Sequence, residues 1–162
     1  MSCKQAEDKA QKPVYIDLET YFKSEAGRLS KKKNLVNKTI RQNGTSESKN
    51  KIEIDWLNEL SLFIGSDINK PAWKDSYKII QNNLELSYIA LDSNLRTKEI
   101  HIQKDLKGNL NQIYIKNVNK NRLYESMEEL IYIPDSVYSI KKEQRVLLLG
   151  DNSLFIEAKI IK

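Results

Sequence analysis

Apolar and polar residues alternate almost without a break from Tyr77 to Lys162. Leu84, Leu86, Tyr88 and Ala90 share one parity, as do Ile100 and Ile102, Ile113 and Ile115, Ile131 and Ile133, and Tyr138 and Ile140. Leu154, Ile156, Ala158 and Ile160 close the series. A period of two sets one side chain on a core and the next in water, the signature of half-buried strands. Each pause is turn chemistry: Asn82-Asn83, Asp92-Ser93-Asn94, Lys107-Gly108-Asn109, Asn119-Lys120-Asn121, Pro134-Asp135-Ser136 and Gly150-Asp151-Asn152. Such residues adopt left-handed backbone or close side-chain turns. The pattern predicts about seven antiparallel strands in a meander over residues 76–162. A bulge is expected near Met127-Glu128-Glu129, where carboxylates interrupt the apolar rows. Val146-Leu147-Leu148-Leu149 is apolar on both faces and is expected under helices or at a central position.

Ahead of the sheet the period changes. Tyr15, Phe22, Leu29 and Val36 stand seven apart, and Leu18, Ala26 and Ile40 fill the same face. This predicts one amphipathic helix from Tyr15 to Gln42, stopped by Asn43-Gly44. Ile52, Trp56, Leu60, Phe63 and Ile64 predict a second, shorter helix that Gly65 ends. The two make an antiparallel hairpin over 14–66. Asn69 and Pro71 suit a single helical turn, and Trp73, with Trp56, is expected to seal the junction of helices and sheet. The predicted class is therefore α+β. One domain over 14–162 packs an N-terminal antiparallel helical hairpin on a twisted antiparallel sheet of about seven strands, which can curl into a half barrel.

Composition narrows the chemistry. The chain has 162 residues, a net charge of +5, one cysteine, Cys3, and one histidine, His101. No intrachain disulfide forms from one thiol, and no zinc site of the usual Cys/His kind can be assembled. Any Ser-His-Asp or Cys-His nucleophile system would have to use His101, which alternation turns away from Ile100 and Ile102 and so toward water. Glu125, Glu129 and Asp135 are hard oxygen ligands, but no loop has the alternating Asp/Asn pattern of a calcium site. No metal and no cofactor is expected, and the chain reads as a non-enzyme. Arg28, Lys31, Lys32, Lys33, Lys38 and Arg41 form a basic zone on the predicted first helix that could track phosphates. Without a recognition-helix motif, or the aromatic-basic pattern of RNA-binding sheets, nucleic acid is disfavoured as a partner. Asn37-Lys38-Thr39 and Asn43-Gly44-Thr45 match the N-glycosylation sequon, whose use needs a eukaryotic secretory context.

Residues 1–13 are polar and read as a tether, with the sole thiol near its start. The Ser2-Cys3-Lys4 junction followed by a polar linker resembles the mature end of small envelope lipoproteins of the Bacteroidota type. That resemblance implies that Cys3 is acylated, that Met1 stands in place of a removed signal peptide, and that the domain is held at a membrane in the periplasm or outer membrane. It also implies that Asp135-Ser136-Val137 is a candidate O-glycosylation site at Ser136. The element order is similar to that of periplasmic lipoprotein carriers, in which a sheet wraps an apolar cavity closed by helices. On that likeness, Leu86, Tyr88, Ile100, Ile102, Ile113 and Ile115 are the residues expected to face an apolar ligand such as a lipid. The functional expectation is a non-enzymatic, lipid-anchored envelope domain that binds an apolar ligand or a partner protein. The alternatives are an interaction module without a cavity, and a cytoplasmic binder of nucleic acid or anionic surfaces through the basic helix.

Overall fold

A computed structural model describes residues 14–161. One helix, α1, spans Leu18–Lys32. Its first turn is closed by two carboxylates: Asp17 Oδ1 accepts from the Thr20 amide at 2.8 Å, and Asp67 Oδ2 accepts from the Leu18 amide at 2.8 Å. These satisfy donors that a helix start leaves open. Leu18, Phe22, Ala26 and Leu29 form the buried stripe, at the spacing of one helical face. Burying a leucine or phenylalanine in this way stabilises by roughly 1.5–3 kcal/mol.

The helix does not run to Gln42. It stops at Lys33, a left-handed C-cap at φ 51° whose amide donates to the Ser30 carbonyl. Residues beyond it form a β-hairpin, β1 (Val36–Gln42) and β2 (Thr45–Ile52). Val36, Thr39 and Ile40 are β-branched and favour extended backbone. Asn43 and Gly44 both have positive φ, 48° and 86°, the requirement of a tight type I′ hairpin turn. The second expected helix is only two short turns, α2 (Trp56–Glu59) and α3 (Ser61–Ile64), followed by a 3-10 turn at Pro71–Trp73. The predicted helical hairpin over 14–66 is thus replaced by one helix, a β-hairpin and two helical turns.

The remaining strands are β3 (Tyr77–Gln81), β4 (Glu85–Ala90), β5 (Thr97–Lys104), β6 (Leu110–Lys120), β7 (Tyr124–Ile133), β8 (Val137–Val146) and β9 (Gly150–Ile160). Among the described residues nine strands, not about seven, form one antiparallel sheet in the order β2-β1-β9-β8-β7-β6-β5-β4-β3. The early hairpin joins the meander at its last strand, through pairs such as Val36 with Ile160 and Ile40 with Ile156. The molecule is mostly sheet, with helices on one face.

Two rows of side chains cross the covered face. One runs Leu86, Ile102, Ile113, Tyr132, Tyr138, Ala158; the other Tyr88, Ile100, Ile115, Leu130, Ile140, Ile156. They form one core with Leu18, Phe22, Leu29, Trp56, Leu60 and Phe63. Aromatic edges lock the layers. The Phe22 and Phe63 rings meet Tyr132 at 5.2 and 6.2 Å, and Trp56 meets Tyr138 at 6.2 Å, separations at which edge-to-face pairs are favourable. On β7 it is Leu130 and Tyr132 that reach this core, so Ile131 and Ile133 lie on the other face. Trp56 is buried, but Trp73 is only half-buried, with the Lys70 ammonium 4.3 Å from its ring. No bulge breaks β7 at Met127-Glu128-Glu129; its pairing with β6 and β8 is continuous there. Register shifts lie instead in β5 and β1.

Candidate functional site

Two neighbouring turns at one end of the sheet, β6–β7 and β8–β9, build an exposed apolar surface. Strands β8 and β9 pair as far as Val146 with Gly150, leaving Leu147, Leu148 and Leu149 as a three-residue turn. Beside it, the β6–β7 turn carries Leu123. The Leu147 amide donates to the Leu123 carbonyl at 2.9 Å, which ties the two turns together. All four leucines are exposed: Leu123 66%, Leu147 60%, Leu148 96% and Leu149 86%. The expectation that residues 146–149 lie under helices or centrally is therefore overturned. Once Val146 pairs with Gly150, no strand remains for the leucines to belong to.

Leu148 sits at φ 69°. For a residue with a Cβ this left-handed backbone costs about 1–2 kcal/mol, and glycine would hold it without that cost. The most exposed leucine is thus also the most strained backbone position of the turn.

On the tip side, a buried polar cluster joins the end of α3 to the sheet. The Asn117 amide donates to Ser66 Oγ at 2.9 Å, and Arg96 donates to the Gly65 carbonyl at 3.0 Å and to Glu128 at 2.6 Å. Lys142 stands 3.3 Å from the other oxygen of Glu128, whose side chain is 6% exposed. Two cations and an amide offset the cost of burying this carboxylate. Beyond it the strands carry Ser126, Tyr124 and Gln144, where Gln144 Nε2 donates to the Tyr124 hydroxyl at 2.9 Å. Charged residues surround the tip. Lys120 faces Glu125 at 3.5 Å and Arg145 faces Asp151 at 3.3 Å, while Arg122 makes no ion pair among the described residues. On the outer face of the same end, Asn43, Glu125, Met127, Glu143, Arg145 and Asp151 border an open cleft of about 410 Å³.

The six residues expected to face an apolar ligand all lie in or against the core. Tyr88, Ile100, Ile102, Ile113 and Ile115 are buried in the core that the helices fill, and Leu86 packs at its margin. Packed interiors leave few voids larger than a water molecule, and these side chains pack against those of the helices. The basic zone also disperses. Lys31 and Lys32 are exposed at the end of α1, and Arg28 is bonded to Glu25 and Asp135. Lys38 is on β1, paired with Glu59 at 2.6 Å, and Arg41 lies 5.5 Å over the Phe155 ring. Lys38 and Arg41 belong to a strand and not to the helix, so no single helix face collects the zone. Ser136 is exposed in the β7–β8 turn, next to Asp135 at φ 54°. Cys3 lies outside the described residues.

His101 is on the outer face, opposite Ile100 and Ile102, but it is enclosed by polar neighbours and not simply bathed in water. Its Nδ1 is 2.9 Å from Ser87 Oγ and 3.2 Å from Glu85, and its Nε2 is 3.1 Å from Glu99. Hydrogen bonds from Ser87 and His101 hold the Glu85 carboxyl below its ordinary pKa. A serine, a histidine and carboxylates could pass a proton, but acyl transfer also needs free N–H donors for an oxyanion. The backbone here is committed to the β3–β4–β5–β6 ladders. Comparison with protein-family models, curated proteins and solved structures found no match.

Proposed function

We propose that the protein is a non-enzymatic binding module of the cell envelope, held at a membrane by a lipid on Cys3, and that it binds an apolar target through the leucine tip. One observation carries the reading: four leucines stand exposed on two bonded turns at one end of the sheet. A cluster of exposed apolar residues on a monomer normally marks a surface that a ligand, partner or membrane covers. The strained backbone of Leu148 adds to this, because strain of that kind collects at functional positions. The filled core speaks against an enclosed lipid and moves the apolar contact from the sheet to the tip. The ladder-bound surroundings of His101 support a binding role over a catalytic one.

The test is an environment-sensitive apolar dye added to native protein. Wild type is expected to bind it, and the Leu147→Ser/Leu148→Ser/Leu149→Ser variant, with an unchanged circular dichroism spectrum, is expected to lose that binding. Equal binding by both would remove the tip from the reading.

A further inference from the structure

We infer that the apolar target is a lipid bilayer, and that the turn of Leu147, Leu148 and Leu149 inserts into it to the depth of the headgroups. This rests on the tip being the binding surface. Shape favours a bilayer over a folded partner. A stable protein interface buries about 800 Å² on each side around anchors rich in Trp, Tyr and Arg, with leucine under-represented. The tip is a narrow convex turn with only aliphatic side chains. A fluid bilayer imposes no shape that it must match.

Backbone chemistry agrees. Apolar surroundings are tolerable only where polar backbone groups are bonded within the protein. The Leu147 amide donates to Leu123, the Leu149 amide to Val146 at 3.1 Å, and the Asn121 amide to Tyr124 at 2.8 Å. The turns at the tip therefore close many of their own donors.

Charge sets the depth. Just behind the leucines stand Lys120, Arg122 and Arg145, with Glu125 and Asp151 answering the first and last of these. The balance is one positive charge, on Arg122, at the level where lipid phosphates would lie. Direction agrees as well. Helix α1 starts beside Asp67, next to the Ser66–Asn117 bond on the tip side of the helical layer, and ends at Asp135 in the opposite β7–β8 turn. A chain leaving the fold at Val14 starts from the half nearer the tip.

The experiment uses the full chain with Cys3→Ser, so that no acyl group contributes. Flotation is measured with phosphatidylcholine vesicles and with vesicles that also contain phosphatidylglycerol. In the same background, Leu148→Cys or Leu106→Cys carries a solvent-sensitive fluorophore; Leu106 is 93% exposed in the β5–β6 turn at the other end of the sheet. We expect flotation, a blue shift and quenching by a membrane-embedded quencher for the label at 148, and none of these for the label at 106. Arg122→Gln should weaken binding to the anionic vesicles about fivefold and leave binding to neutral vesicles unchanged. No flotation on either vesicle, or equal shifts at both labels, would overturn the inference. Dye binding at the tip, lost in the triple-serine variant, would then survive and mean that a protein partner covers it. Loss of both signals would remove the tip as a binding surface altogether.

Discussion

The Leu147 amide donates to the carbonyl of Leu123, 24 residues earlier in the chain, at 2.9 Å. That bond makes the β6–β7 and β8–β9 turns one surface and sets four leucines side by side in water. The same bond should hold the turns together when the side chains change. Leu123→Ser is therefore expected to leave stability within about 0.5 kcal/mol, as for other surface substitutions, while reducing apolar dye binding. A large loss of stability would mean that Leu123 packs in the fold and does not belong to the tip.

Trp56 is expected to be the costlier of the two tryptophans to remove. It is 2% exposed and packs edge-on to Tyr138, so Trp56→Ala should cost about 3–5 kcal/mol in a urea titration. Trp73 lies at the margin of the core, and Trp73→Ala should cost roughly 1–3 kcal/mol. Equal losses would contradict the placement of Trp73 at the edge.

Acid should loosen the contact between α1 and the β7–β8 turn. Burial tends to raise the Glu25 pKa, but hydrogen bonds from Arg28 and Tyr132 outweigh it and the carboxyl sits below its ordinary value. The Arg28 hydrogen bond does the same for Asp135. Both groups bind protons more weakly folded than unfolded, so their stabilisation is complete above the unfolded carboxyl values near about 4 and is lost as pH falls through the lower folded ones. The urea midpoint of wild type should fall below about pH 5, and Arg28→Met should flatten that fall. An unchanged slope in the variant would show that the two carboxylates owe nothing to Arg28.

The strands of the meander were legible because their alternation is local and each turn carries its own chemistry. The residues read as ligand-facing did fall on one face of the sheet; what a single sequence does not give is the volume above them, and α1, α2 and α3 fill it. The β1–β2 hairpin is masked in the sequence because Leu29 and Val36 stand seven apart by coincidence across a helix end. Asn43-Gly44 between Val36, Thr39, Ile40 and Thr45 is the available signal, since that dipeptide is the strongest short hairpin mark; after an apparent helical stripe the same dipeptide also reads as a helix stop. The leucine tip was hidden for a different reason. An apolar run normally means burial, and only the pairing of Val146 with Gly150 excludes the leucines from the strands. The polar cluster at Glu128 joins residues from four separate segments, a convergence that spacing along the chain does not reveal.

Cys3→Ala tests the anchor apart from the fold. Produced from its own gene in the organism that encodes it, wild type is expected to partition into detergent and the variant into the aqueous phase, with the same thermal midpoint for both. Equal partitioning would sink the lipid anchor and leave the tip as the sole membrane or partner contact.

His101→Ala should leave apolar dye binding unchanged, because the residue lies on the outer face among Glu85, Ser87 and Glu99. Any catalytic rate assigned to the protein should likewise survive within a few-fold, since loss of a general base costs about 10²–10⁴-fold. A collapse of that size would reverse the non-enzymatic reading.

Leu148→Gly is the most direct test that the tip exists for binding and not for folding. Glycine relieves the positive φ of this position and removes the most exposed side chain of the turn. The urea-unfolding free energy is expected to hold or to rise by up to about 1 kcal/mol, while dye binding measured on the same samples falls severalfold. A variant that binds as wild type does, or that loses stability, would contradict a leucine held there at structural cost for what it touches.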